Sequence, residues 1–135
     1  MNNTVSNTVK LAYINTISRL SVAFVYFYHG LIPKIIWLDD VEVLMDEAHN
    51  IGIKSETIAL IGGITEITLS LAIIFFKKSL LPIYLAIGLF VVLLIDVAIM
   101  LPELLIKAFN PLTINTVCLA LCLIVIISHS DLVDD

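Results

Sequence analysis

The sequence predicts an all-α integral membrane protein, a four-helix bundle with a short amphipathic helix between its first and second spans. Three observations predict it. Of 135 residues, 60% are hydrophobic and 14% charged, with a mean hydropathy of +1.08. Soluble domains average about 45–50% apolar and about 25% charged, and a domain this small leaves too much surface wet to hide the excess. Four apolar runs are each long enough to cross a bilayer, which takes roughly 20 helical residues. The runs do not alternate in polarity and are twice the ~9–11 residues of a barrel strand. Lipid offers the backbone no hydrogen-bond partners, so these runs must be helices. The composition excludes an ordinary cytosolic enzyme and a secreted disulfide scaffold. A formal net charge of −5 excludes a nucleic-acid binder.

The whole chain, residues 1–135, reads as one transmembrane domain with spans at about 11–36, 57–76, 80–101 and 109–128. The first span is the least pure, carrying Arg19, His29 and Lys34. The polar stretch before it has no secretory pattern, so this span is expected to be kept. Between the first two spans, Asp39 or Asp40 can cap a helix whose apolar residues Val41, Leu44, Met45, Ala48 and Ile51 fall at helical spacing. Gly52 is a plausible stop. This helix, residues 40–51, is expected to lie on the membrane surface, with a solvated loop helix as the alternative. Lys77-Lys78 opens a very short turn that makes spans two and three an antiparallel hairpin. Pro102, Lys107, Asn110 and Pro111 punctuate the last connection. Lys10, Lys77 and Lys78 flank one side, and Lys34, Lys54 and Lys107 the other. The positive-inside rule then narrowly places both termini in the cytoplasm, and the acidic tail (Asp131, Asp134, Asp135) counts for little.

An ionisable side chain at mid-bilayer costs roughly 2.5–3.5 kcal/mol on the insertion scale. Those present should therefore meet. At ~1.5 Å per residue, Glu66 sits near the middle of its span, His29 and Asp96 ~8 Å toward the non-cytoplasmic side, and Asn115 ~5 Å the same way. Lys34 is higher, with a stem long enough to reach down or to anchor at the headgroups. On the first span, Tyr26, His29 and Pro33 form one polar patch and Asn15 with Arg19 another, separated by an apolar turn at Val22 and Ala23. On the second, Gly62, Glu66 and Ser70 are spaced by four, and small residues there permit close helix approach. On the third, Asp96 stands with Gly88 about two turns below. On the fourth, Asn115, Cys118 and Cys122 share a face.

These placements predict one cavity lined by His29, Lys34, Glu66, Asp96 and Asn115. Interhelical glue is the plain alternative. The midplane carboxyl of Glu66 favours a ligand or proton site. Arg19 is expected to snorkel or to pair within the bundle. Tyr26, Trp37 and Tyr84 read as packing or interface aromatics, and His49 and His129 as loop or boundary residues. Cys118 and Cys122 lie one turn apart in mid-membrane, where thiols are inert, and read as packing residues. No metal set, phosphate loop, nucleophile elbow or haem motif is present.

The stretch His29-Gly30-Leu31-Ile32-Pro33-Lys34 resembles the Gly-x-x-Pro-Lys signature of the DoxX-like membrane proteins. Glu42 and Gly52 follow, then Gly63-x-x-Glu66 in the second span and Asn110-Pro111-Leu112-Thr113-x-Asn115 at the fourth. The likeness runs from about Arg19 to Leu123. It departs at Ile114, where the family often has a lysine. The resemblance implies a four-helix bundle in the bacterial inner membrane. It marks Gly30, Pro33, Lys34, Glu66 and Asn115 as positions to carry over. The wider group is similar to the membrane subunit of a thiosulfate:quinone oxidoreductase, and other relatives act as assembly or trafficking helpers.

The expected function is a buried polar site for a small molecule, a quinone among the candidates, serving a redox partner. Lys34 and His29 would meet a quinone carbonyl while Glu66 or Asp96 exchanges protons. No electron carrier is visible, so no catalysis by the chain alone is expected. The alternatives are an assembly subunit of a membrane complex and a proton or solute pathway.

Overall fold

The computed structural model describes the backbone of residues 2–133 and the side chains of residues 7–129. The acidic tail of the orientation argument, Asp131, Asp134 and Asp135, lies outside those side chains. Helix α1 (Asn2–Leu31) runs into a π-turn (Ile32–Ile36), followed by α2 (Asp40–His49), α3 (Ser55–Phe75), α4 (Leu81–Met100), a 3-10 turn (Pro102–Ile106) and α5 (Pro111–Val133). No strand occurs among the described residues. Helices α3, α4 and α5 are each long and apolar enough to cross a bilayer. Helix α1 with its π-turn reaches that standard only together with α2, to which it is bent by 85°. The polar residues that make the first span impure are the reason. The fold is an all-α membrane bundle of four long helices, with α2 laid across one end.

Each long helix buries a stripe at helical spacing. On α1 the stripe is Asn15, Ser18, Arg19, Val22, Ala23, Tyr26 and Gly30. On α3 it is Ala59, Gly63, Glu66, Leu69, Ser70 and Ile73. Helix α4 contributes Pro82, Ile83, Ala86, Phe90 and Val97, and α5 contributes Cys118, Cys122, Val125 and Ser128. The faces left exposed carry large apolar side chains such as Phe24, Ile61, Val92 and Ile127, which suit contact with acyl chains. Helix α1 packs along both α3 and α5, and α4 packs mainly on α5. Although the turn at 76–80 makes α3 and α4 a hairpin, the two touch little along their length. That gap, capped by α2, leaves room for a cavity.

Two departures concern helix ends. The surface helix stops at His49 rather than residue 51, because Asn50 takes the left-handed conformation (φ 47°) that ends it, two residues before Gly52 (φ 76°). Its start is Asp39, whose carboxylate accepts from the Val41 amide at 2.9 Å. The helix also does not lie free on the membrane surface. It packs on α3 and α4, with Met45 and Ala48 against Val97, Leu101 and Leu104. Pro33 explains the end of α1. It has no N–H for the helical ladder, and the chain widens into the π-turn, closed by the Trp37 amide on the Ile32 carbonyl at 2.9 Å.

Small residues set the tightest crossing. A Cβ added at Gly63 would sit 2.5 Å from the Gly30 carbonyl oxygen, and one at Gly30 would sit 2.7 Å from the Gly63 carbonyl oxygen. The backbones of α1 and α3 therefore touch here. The glycine that allows this is Gly63, not Gly62. Gly62 is half-buried one position round the helix, with the Lys34 ammonium 3.7 Å from where its Cβ would be. Gly88 is also displaced from its expected face. It is exposed, and an added Cβ there would meet nothing within 4 Å.

Replacing Gly63 by alanine must push the two backbones apart. The expected cost is about 1–3 kcal/mol, the usual range for overpacking, read as a lower melting temperature in detergent. Gly88→Ala should melt at or above the wild-type temperature. A Gly63→Ala protein as stable as wild type would refute the close crossing.

Candidate functional site

Polar groups of the bundle fall into two zones. Between them is a dry layer of Val22, Ala23, Leu69, Ile73, Ile83 and Cys122. In the half nearer the α3–α4 turn, the Asn15 amide donates to the Val125 carbonyl at 3.0 Å and to Ser128 Oγ at 2.9 Å. Arg19 Nε donates to Asn15 Oδ1 at 3.0 Å, and Arg19 Nη2 to the Ser79 carbonyl at 3.2 Å. Arg19 is 3% exposed, so it pairs within the bundle rather than snorkelling. These contacts tie α1 to α5 and to the hairpin turn, and they are structural.

The other half holds a cavity of about 640 Å³, within the usual size of small-molecule pockets. All five residues expected there line it: His29 and Lys34 from the first span, Glu66 from α3, Asp96 from α4 and Asn115 from α5. Their pairing is more divided than one shared cluster. Lys34 Nζ donates to Glu66 Oε1 at 2.6 Å and lies 3.7 Å from Glu42 Oε2. The ammonium is therefore turned into the bundle, with its side chain 11% exposed, and does not anchor at headgroups. The crossing at Gly30 and Gly63 makes this geometry, since Lys34 lies one turn beyond Gly30 and Glu66 almost one turn beyond Gly63. Asp96 does not join that pair. Its Oδ1 accepts from His49 Nε2 at 2.8 Å. The His29 ring and the Asn115 amide have no hydrogen-bond partner among the described residues.

His49 is thus not a plain boundary residue. Its Nδ1 lies 2.7 Å from the Met45 carbonyl oxygen while Nε2 faces the Asp96 carboxylate. Both partners accept, so the imidazolium, with two donors, satisfies both. The Met45 carbonyl first and the Asp96 hydrogen bond second raise the His49 pKa above its ordinary 6.5. Glu42 and Asp46 line the same cavity. Burial raises both carboxyl pKa values, and the positive charge of Lys34 works against it. A readable signal for these three was their spacing, four then three residues, which puts Glu42, Asp46 and His49 on one face of α2.

Tyr26 packs, as expected, and also lines the cavity. Its hydroxyl donates to the Ala86 carbonyl at 2.7 Å, and its ring stacks on Phe90 at 4.4 Å between centroids. Cys118 and Cys122 are free and buried in the apolar core, consistent with packing. No cluster of three or more metal-binding side chains occurs among the described residues.

Three buried side-chain atoms lack a hydrogen-bond partner among the described residues: Arg19 Nη1 in the structural zone, and one carboxylate oxygen on each of two residues at the cavity. Glu66 is 5% exposed, and its Oε2 is buried with no hydrogen-bond partner among the described residues. Asp46 Oδ2 is in the same condition. A buried carboxylate oxygen without a donor is costly, of order 1–3 kcal/mol or more for a charged group. Both side chains line the cavity.

Four long helices around a half-enclosed, ion-paired cavity define a multi-pass helical membrane protein. The chain belongs to the DoxX-like family, whose family model matches residues 23–123. No curated protein and no solved structure matches it.

Lys34→Met strands the Glu66 carboxylate in the bundle and should cost about 3–5 kcal/mol. The double variant Lys34→Met/Glu66→Gln should recover most of that loss in a chemical or thermal unfolding cycle. Additive effects of the two substitutions would refute the pair. For His49, the folded pKa lies above the free one. Its pair with Asp96 therefore stabilises fully below about pH 6.5 and is lost as the pH rises through the raised folded value. Melting temperatures across that range should fall more steeply for wild type than for Asp96→Asn.

Proposed function

We propose that this protein binds a small amphipathic molecule in the cavity between α1, α3, α4 and α5, beneath α2, and performs no catalysis by itself. The observation that carries the reading is that Glu66, whose buried Oε2 has no hydrogen-bond partner among the described residues, lines a space large enough for a ligand. Walls that are mostly apolar, with a few convergent polar groups, are the usual makeup of such sites. His29, whose exposed ring meets Tyr28 edge-on, and Asn115 supply N–H donors that a quinone carbonyl would need, a role in which Lys34 is already occupied by Glu66. A quinone bound here would serve a redox partner.

A proton or solute pathway is less well supported. An apolar layer separates the cavity from the Asn15–Arg19 zone, and the buried Ser70 hydroxyl within it is spent on the Ala23 carbonyl at 2.7 Å. The proposed setting is the bacterial inner membrane with both termini in the cytoplasm. Lys34 is taken up by its ion pair. That leaves Lys54 and Lys107 on the far flank against Lys10, Lys77 and Lys78 on the near one, which favours this orientation.

Purification with native lipids followed by mass spectrometry tests the reading. A small molecule should accompany the wild-type protein and be depleted from Glu66→Gln. A reproducible protein partner with no small molecule would point instead to an assembly subunit. Proton flux in liposomes that depends on Glu66 would point to a pathway. Either result overturns the proposal.

A further inference from the structure

The electrostatics of the cavity say more about the occupant than its size does. Four carboxylates line it, Glu42, Asp46, Glu66 and Asp96, against two ammonium groups, Lys34 and Lys107. With both imidazoles neutral the formal excess is two negative charges. Protonation of His49, which its two acceptor partners favour, reduces the excess to one. Lys34 cannot satisfy the rest. It is committed to Glu66 Oε1 and lies near Glu42, so a single ammonium serves two carboxylates. The two buried oxygens left without partners, Glu66 Oε2 and Asp46 Oδ2, are both acceptors. What is missing is one positive charge with N–H donors.

Resting on the reading of this cavity as a ligand site, we infer that its occupant is an amphipathic organic amine whose protonated head meets Glu66 Oε2 and the acidic face of α2. The amine supplies the missing charge and gives the orphaned oxygen a charge-assisted hydrogen bond. Its apolar body lies along Tyr26, Phe90, Leu93 and Val97, which line the same space. The stacked Tyr26 and Phe90 rings add aromatic surface to that wall. A metal ion fits poorly, since no cluster of three metal-binding side chains occurs among the described residues and the apolar wall would stay uncovered. A neutral quinone leaves the charge excess where it was and brings only acceptors to Glu66. An amine is therefore the better-matched occupant.

Protons compete with the amine. Burial raises the Glu42 and Asp46 pKa values, so these carboxyls take up protons more readily as the pH falls and the negative excess shrinks. The charged and titratable groups around them are Lys34 from the π-turn, His29 from α1, Glu66 from α3, Asp96 from α4, Asp39 and His49 at the two ends of α2, and Lys107 before α5. Amine affinity should accordingly rise as the pH rises and these carboxyls lose their protons.

The test uses the full chain in lipid nanodiscs and three probes: decylamine, decanol and a short-chain ubiquinone. Binding is read by native mass spectrometry and by the shift in melting temperature. Decylamine should bind at least about tenfold more tightly than decanol, the scale of one hydrogen bond to a charged group. Its affinity should drop about tenfold in Glu66→Gln and fall in the same direction in Asp46→Asn. The Asp46→Asn protein and the comparison of probes on wild type keep the inference testable if Glu66→Gln does not fold. Equal binding of decylamine and decanol, or binding of the ubiquinone but not of decylamine, would overturn the cationic assignment alone. Binding of none of the three would overturn the ligand-site reading with it.

Discussion

The contact between the backbones of α1 and α3 at Gly30 and Gly63 is the constraint on which the rest of the cavity depends. In hydrocarbon, helices gain little from burying apolar surface against each other, and association rests on close packing and polar contacts. A carbonyl seated where a Cβ would be gives that close packing. The same crossing delivers Lys34 to Glu66. Neither charge would be tolerable alone at this depth. Together they leave a single carboxylate oxygen unspent.

Helix α1 is the hub of the bundle because polar contacts join it to each of the other long helices. Asn15 reaches the α5 backbone, Ser70 of α3 donates to the Ala23 carbonyl, and Tyr26 reaches the α4 backbone at Ala86. Each contact contributes modestly, about 0.6 kcal/mol on average for interhelical hydrogen bonds in a membrane. Their distribution matters more, since α1 is fixed to every other long helix. The cost is an impure first span, compensated by enclosing its polar stripe within the bundle. The apolar turn at Val22 and Ala23 then divides that stripe into a structural zone and a cavity zone.

Helix α2 gives the cavity its acidic character. The turn at Pro33 and the 85° bend carry α2 across the end of the bundle. Met45 and Ala48 settle on the α4 end, and Glu42, Asp46 and His49 are brought to the cavity. The His49–Asp96 pair fastens α2 to α4, bridging the side where α3 and α4 fail to close on each other.

Composition and periodicity alone determined that this chain is a helical membrane bundle. Apolar length and the absence of alternation leave no other way to satisfy a backbone in lipid. Helix rise and span midpoints place Glu66, Asn115, His29 and Asp96 within about 8 Å of one another in depth, with Lys34 higher, because depth depends on residue number and little else; all five line one cavity. Rotation and partner choice were another matter. Gly62 and Gly63 are neighbours on the same helix, and only the crossing decides which one meets α1. Gly88 shares a plausible spacing with Asp96 yet faces outward. Lys34 had two reachable environments, headgroup and carboxylate, and the position of Glu66 across the crossing chose the second. His49 lies outside every span, so span depth said nothing about it; a bend at a proline brought it to Asp96. Which side chains share a face follows from local geometry, but which faces meet is set by packing between segments distant in sequence.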